Sequence, residues 1–299
     1  AMVETSAYII NNSNSKNDSL FFRVTEEGDK SFSLNSILND QSNPNFYKID
    51  TSIFKSITNE PFCYWIDDKT KQLFLTEEQF EKGKRASRQG TSTSDKPRFV
   101  VNNWEVNPLD IYTDRDESFL GKRWIYFMLS DQSTRYYEDG DSLVNWKNNG
   151  EEIKALLMSK FNKGAQSEST YFNEGLTWAY RTAKFSPHIV RKGGMSTNSR
   201  FLTIFDNEEQ LLTTCSLWNS EYMDYCLKLS MEWKFINGTI NKLPFPKLDI
   251  KTQHFLINKT SSQFDRVKEV YRTSDRSVSF SSNMAYSCES IKKYGDLYC

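Results

Sequence analysis

The 299-residue chain carries 38 Lys and Arg against 39 Asp and Glu, a net charge of -1, with 37% hydrophobic and 14% aromatic residues, a composition that fits one large or two smaller globular domains and excludes a disordered tail. No run of about 18 apolar residues occurs, so no membrane-spanning helix is expected, and the opening AMVETSAYIINN lacks the basic region and apolar core of a signal peptide. Five scattered cysteines, Cys63, Cys215, Cys226, Cys288 and Cys299, without C-x-x-C spacing, argue against a disulfide framework or a zinc site and read as reduced thiols of a cytoplasmic protein.

From the N-terminus, residues 7–10 (AYII) and 19–24 (SLFFRV) are predicted to be strands joined by the polar turn NNSNSKND. SFSLNSILND predicts a helix capped by Ser33, and NPNFYKIDTSIFKSI predicts a strand and a short helix. Between about residues 82 and 250, the runs RFVVNNWEV, KRWIYFML, LTWAYR, PHIV and RFLTIF alternate with Gly, Pro, Asn and Asp. That pattern predicts a curled sheet with helices at its flanks. NNGEEIKALLMSKFNK predicts one helix, and QLLTTCSLWNSEYMDYCLKLSM a second, with apolar residues at helical spacing from Leu211 to Leu229. FINGTINKLPFPKLD, with Gly238, Pro244 and Pro246, is expected to be extended and non-helical. Beyond it lies a polar, Ser-rich tail with one amphipathic stretch, HFLINKTSSQFDRVKEVY.

The near-zero charge hides two basic segments. Residues 82–98 hold six Lys or Arg against one acid, Asp95, and residues 181–200 hold five, plus His188, with no acid. Segments of this kind are either solvated loops or a positive face for phosphates. The first contains the loop SRQGTSTSDKPRF, in which Arg88, Gln89, Thr91, Thr93, Lys96 and Arg98 offer cationic, hydroxyl and amide groups, and Gly90 would let the backbone approach a ligand. In and before the second, Thr177, Arg181, Lys184 and Lys192 repeat that chemistry, with Gly193-Gly194 as a flexible pair. A loop of Gly, Ser and Thr is also an ordinary connector, and composition leaves both readings open. Trp104 and Trp178 lie among strand-like neighbours and are expected in the core, while His188 and His254 read as packing or surface residues.

Catalytic signatures are missing from the sequence. It contains no Gly-rich cofactor loop, no P-loop, no nucleophile elbow and no zinc-protease motif. The string nearest to an adenine methyltransferase N-P-P-[YF] turn, Asn43-Pro44-Asn45-Phe46, lacks the second proline and reads as a loop. The acid pairs Asp67-Asp68, Glu77-Glu78 and Glu151-Glu152 read as helix-start or solvated carboxylates. No catalytic or metal-ligating residue is assigned.

The order of the segments resembles a family. In the C-terminal part of large adenine-specific DNA methyltransferases of the phage-exclusion (BREX-type) and fused restriction-modification kinds, an ETA-x-(I/V) segment is followed by an aromatic pair. An RQG-x-x-T loop then runs into RF-V-x-x-WEV. VETSAYII, NEPFCYW and SRQGTSTSDKPRFVVNNWEV match these in order, and VNWKNNGEEIK, YFNEGLTWAY, AKFSPHIVRKGG, SLWNSEYMDYCLKL and NGTINKLPFP match the motifs that follow. The resemblance covers most of residues 3–250. It implies an α+β chain: residues 1–81 as the last strands of a methyltransferase α/β domain plus a linker, 82–250 as a mixed, β-rich target-recognition domain with flanking helices, and 251–299 as a helical segment without an assigned role. It further implies duplex DNA as partner, with Arg88, Gln89, Thr91, Thr93, Lys96, Arg98, Thr177, Arg181, Lys184 and Lys192 as the binding residues. A methyltransferase domain N-terminal to this chain would hold S-adenosylmethionine, which this chain would not bind, so methyl transfer by the chain alone is not expected. The rival expectation is a protein-interaction module docking other defence-system components.

Overall fold

The structure, a computed structural model, describes residues 6–10, 18–25, 27–129, 134–190, 192–230 and 234–273. By contacts the chain divides into two units, residues 1–75 and 76–299. In the first, β1 (Ser19–Phe22) pairs antiparallel with β2 (Phe46–Ile49), Ser19 opposite Ile49. The strand expected over 7–10 does not form: these residues are irregular and exposed, and β2 takes the place of that hairpin partner. Helix α1 (Lys30–Asn39) starts earlier than expected, because Asp29 and not Ser33 is the cap, its carboxylate accepting the Phe32 N–H at 2.9 Å. The predicted strand and short helix over NPNFYKIDTSIFKSI appear as β2 and a 3-10 helix, Thr51–Ser56. Phe21 stacks on Tyr64 of the aromatic motif at 4.5 Å. Helix α2 (Asp68–Thr76) follows, and Asp67 caps it by accepting the Thr70 N–H.

The second unit runs β3 (Glu78–Gln79), β4 (Ala86–Gln89), α3 (Lys96–Phe99), β5 (Val100–Asn102), β6 (Trp124–Met128), β7 (Tyr136–Tyr137), β8 (Ser142–Asn145) and α4 (Lys147–Phe161). It continues with β9 (Gly175–Ala179), β10 (His188–Val190), β11 (Gly194–Ser196), β12 (Arg200–Ile204), α5 (Glu208–Trp218), α6 (Glu221–Ser230), α7 (Asn237–Ile240), β13 (Pro244–Phe245) and α8 (Ile250–Arg272). The fold class is α+β. A five-stranded sheet has the order β4-β12-β9-β10-β7 and a four-stranded sheet the order β11-β6-β8-β5. Residues 78–81, placed with the first segment by the sequence, pair with 241–245 inside this unit: β3 with β13, and the Phe80 and Glu81 N–H groups with the Leu243 and Asn241 carbonyls.

Strand alternation fixes what each face meets. On one face of the five-stranded sheet, Trp178 stacks on Phe201 at 5.4 Å and meets Trp218 of α5 edge-on at 5.3 Å, with Phe185 against both tryptophans. Aromatic pairs of this kind add about 0.5–1.5 kcal/mol each beyond area burial. On the other face, Val190 and Leu202 bury against Met128 of the four-stranded sheet. That second sheet carries its own core with α4, built from Phe99, Ile125, Val144, Trp146, Ile153 and Leu157. The long predicted helix over 210–231 is two helices. Asn219 breaks it, since its side-chain amide donates to the Cys215 and Pro187 carbonyls at 2.9 Å, and polar side chains that bond nearby backbone compete with helix continuation. The segment expected to be non-helical contains the single turn α7, whose Asn237 bonds the Ser87 carbonyl and covers the β4 edge. Helix α8 packs along α5, Thr260 donating to the Leu212 carbonyl at 2.7 Å and Phe264 meeting Tyr137 edge-on. It is therefore part of the second unit. Residues 274–299, including Cys288 and Cys299, lie outside the described residues.

Candidate nucleic-acid interface

β4 and β9 run in one direction and β12 antiparallel between them, with Arg88 opposite Leu202 and Leu202 opposite Thr177. The ends of β4 and β9 and the start of β12 therefore share one end of the sheet. A chain of contacts ties the loops there together. Gln89 Nε2 donates to the Asn198 carbonyl at 2.6 Å, the Tyr180 N–H to Ser199 at 2.9 Å, and the Phe235 N–H to Tyr180 at 3.1 Å. Trp178 Nε1, bonded to the Phe235 carbonyl at 2.9 Å, fixes that last link from below. Four predicted residues lie at this end: Arg88 and Gln89 on β4, Arg181 over the Tyr180 ring at 5.2 Å, and exposed Lys184, whose own carbonyl accepts from Thr182 and Ser186. Exposed Lys234 joins them through Phe235. Sequence reading missed it, because a single lysine 50 residues downstream of Lys184 carries no local signal.

The other six predicted residues lie elsewhere. Thr177 is fully buried and donates to the Phe201 carbonyl at 2.7 Å. Thr91 is buried, its hydroxyl accepting the Gln166 N–H, and Thr93 is buried as well. None of these three side chains offers a surface to a duplex in this conformation, because strand-like composition does not say which face a threonine takes. Lys96 and Arg98 are exposed on α3, beside the four-stranded sheet, where Arg98 pairs with Glu152 of α4 at 3.0 Å. Lys192 is exposed beyond β10, whose Val190 lies opposite Gly175, at the far end of the five-stranded sheet. Trp178 is in the core as expected, but Trp104 is 52% exposed.

The glycines serve the fold. A Cβ on Gly90 would lie 2.0 Å from the Ser196 carbonyl oxygen. The chain crosses there from the five-stranded sheet, the Gly90 and Thr91 N–H groups donating to Arg200 and Ser196. The close approach inferred from the sequence is thus to the chain's own backbone. Gly193 and Gly194 are buried, and Gly193, at φ 92°, packs on Thr113. They form a seated turn and not a flexible pair.

Two basic residues of the second segment are likewise internal. Arg200 and His188 are 0% exposed, joined to Glu138 of the loop after β7. Arg200 Nη2 lies 2.9 Å from both Glu138 oxygens, His188 Nε2 3.0 Å from Glu138 Oε2, and Arg200 Nη1 2.9 Å from His188 Nε2. His188 Nδ1 faces the carbonyls of Thr134 and Ser186, which only accept, so it carries a hydrogen. Burial pushes the Glu138 carboxyl up, and the charges and hydrogen bonds of His188 and Arg200 overcome this and hold it at about 2. The network links β7, β10 and β12 just behind the loops of the sheet end. Arg191 lies outside the described residues.

Three of the first segment's six cations, Lys82, Arg88 and Arg98, pair with carboxylates, while Lys84 and Lys96 are exposed. Lys82 pairs with Glu78 at 2.8 Å and Arg88 with Glu81 at 2.7 Å, while Arg85 lies over the Phe245 ring at 4.1 Å and donates to the Phe80 carbonyl. Among the described residues no group of three or more His, Cys, Asp or Glu could hold a metal ion, and no helix is long and apolar enough to cross a membrane. Cys63, Cys215 and Cys226 are buried free thiols.

No protein-family profile matches the chain. The type IIL restriction-modification enzyme MmeI, solved in complex with DNA, superposes with a TM-score of 0.45 at 13% identity, over 73% of this chain and 32% of that one, a level that carries no functional argument. The chain is similar in sequence to the adenine-specific methyltransferase PglX of Lacticaseibacillus casei (strain Zhang), 23% identical over 258 residues, a match that takes in 81% of this chain and about a fifth of that relative's length, 21%.

Proposed function

We propose that this chain is the duplex-DNA recognition region of an adenine-specific (N6) DNA methyltransferase acting in the cytoplasm in restriction-modification or phage exclusion. Residues 76–299 would read the DNA. A catalytic domain N-terminal to the chain would bind S-adenosylmethionine and transfer the methyl group, with residues 1–75 as the connection to it. Two things support the reading: the ordered motifs shared with the methyltransferase family, and the likeness to PglX over 81% of the chain. The observation that carries it is the contact chain Gln89–Asn198/Ser199–Tyr180–Phe235, which gathers parts of two sequence-distant basic segments at one sheet end. Cationic and amide side chains on loops held by a rigid sheet suit phosphate contact and base-edge hydrogen bonding. Thr91, Thr93 and Thr177 would support these loops from below. The duplex would extend past the sheet end, where Lys96, Arg98 and Lys192 would meet its phosphates.

The test is binding of the 299-residue chain to a labelled duplex, followed by fluorescence anisotropy across roughly 50–200 mM salt. Binding should weaken steeply with salt, and the double substitution of Arg88 and Lys184 by Ala should weaken it further. Affinity indifferent to salt, or untouched by the double substitution, overturns the reading. A second reading, a protein-docking module, is favoured by the exposed apolar side chains of Leu109, Phe119 and Leu120, which fall within a dozen residues of one another in the sequence.

A further inference from the structure

We infer that Glu81 and Glu152 are specificity-determining carboxylates that compete with DNA phosphate for Arg88 and Arg98. The inference rests on the DNA-binding reading above and adds how the site limits binding to the wrong sequence. Each arginine holds one carboxylate through a guanidinium N–H, Arg88 Nη2 at 2.7 Å from Glu81 and Arg98 Nη2 at 3.0 Å from Glu152. All four side chains are about half exposed, between 42% and 55%. The arginines are therefore open to an incoming anion, yet already occupied by one. The exposed cations Arg181, Lys184 and Lys192 have no carboxylate partner among the described residues.

Exposed Arg181, Lys184 and Lys192, and exposed Lys84 and Lys96 of the first segment, thus present charge to any phosphate. Arg88 and Arg98 do so only when a ligand displaces Glu81 or Glu152, and the displaced carboxylate is left beside a polyanion. A guanidinium prefers planar, two-oxygen partners, so a phosphate or the O6/N7 edge of guanine can replace the single carboxylate oxygen that each arginine now holds. On a random sequence the exchange yields only a phosphate contact. A recognised sequence adds base-edge hydrogen bonds, which offset the lost ion pair. Placing an acid where a wrong partner leaves it unpaired is a recognised route to selectivity.

Glu81→Gln and Glu152→Gln keep side-chain shape and sit on the surface, so circular dichroism should match the unsubstituted chain. The probe is a mixed-sequence duplex of about 30 base pairs, titrated by anisotropy over roughly 50–200 mM salt. Each substitution should tighten binding to this unselected duplex by about two- to fivefold at the low-salt end, the range spanned by exposed ion pairs. The salt slope should steepen by about one for each arginine released. Adding Arg88→Ala to Glu81→Gln should abolish the gain. If the unsubstituted chain binds with a steep salt slope and the Gln variants bind the same, the inference fails while the DNA reading stands. A gain that survives Arg88→Ala also overturns it, since loss of any negative charge would then explain the effect. If the unsubstituted chain shows no binding at the lowest salt, the DNA reading itself falls, and the inference with it.

Discussion

Replacing Glu138 by Gln removes the charge at the centre of the buried network and leaves its shape. In the folded protein the carboxyl is held at about 2 against an ordinary 4.5, because burial, which raises it, is outweighed by His188 and Arg200. A carboxylate depressed in this way stabilises the fold fully above about 4.5, and the contribution is lost as pH falls from there towards about 2. At about 1.4 kcal/mol per tenfold change, the depression corresponds to roughly 3 kcal/mol at neutral pH, of the size found on breaking a buried pair by removing one partner. Urea unfolding followed by tryptophan fluorescence measures it. Glu138→Gln should be less stable by about 3 kcal/mol at pH 7, and the gap should narrow by about 2 kcal/mol at pH 3, where the carboxyl of the unfolded chain is protonated while the native one is still mostly ionised. An equal gap at both pH values would show that shape, and not the charge of Glu138, is what the network needs.

The remaining predictions concern the sheet end. Gly90→Ala should destabilise by about 1–3 kcal/mol or more in urea unfolding, because the new methyl group meets the Ser196 carbonyl, and native stability would show that the crossing can open without cost. Thr177→Val should lower stability by about 1 kcal/mol through loss of the bond to Phe201, while anisotropy finds duplex binding unchanged at a temperature where both proteins are folded. A selective loss of binding would put Thr177 back on the surface.

The sequence was most legible where the signal is local. The alternating runs KRWIYFML, LTWAYR, PHIV and RFLTIF became β6, β9, β10 and β12, and HFLINKTSSQFDRVKEVY became most of α8, since period and turn residues act within a few positions. The failures lie where a neighbour far along the chain decides. Residues 7–10 have strand composition but no partner strand among the described residues, and the apolar period from Leu211 to Leu229 says nothing of the Pro187 carbonyl that helps Asn219 break the helix.

What the sequence determined by itself is the identity of the short segments, the clustering of positive charge in two stretches, and the motif order that resembles adenine methyltransferases. Tertiary structure alone decided which charges are available. Arg88, Arg98 and Arg200 look alike in a charge count, yet their carboxylates stand 7, 54 and 62 residues away, and the third pair is buried. Electrostatic interaction depends on distance through space and on the surrounding dielectric, and the fold sets both.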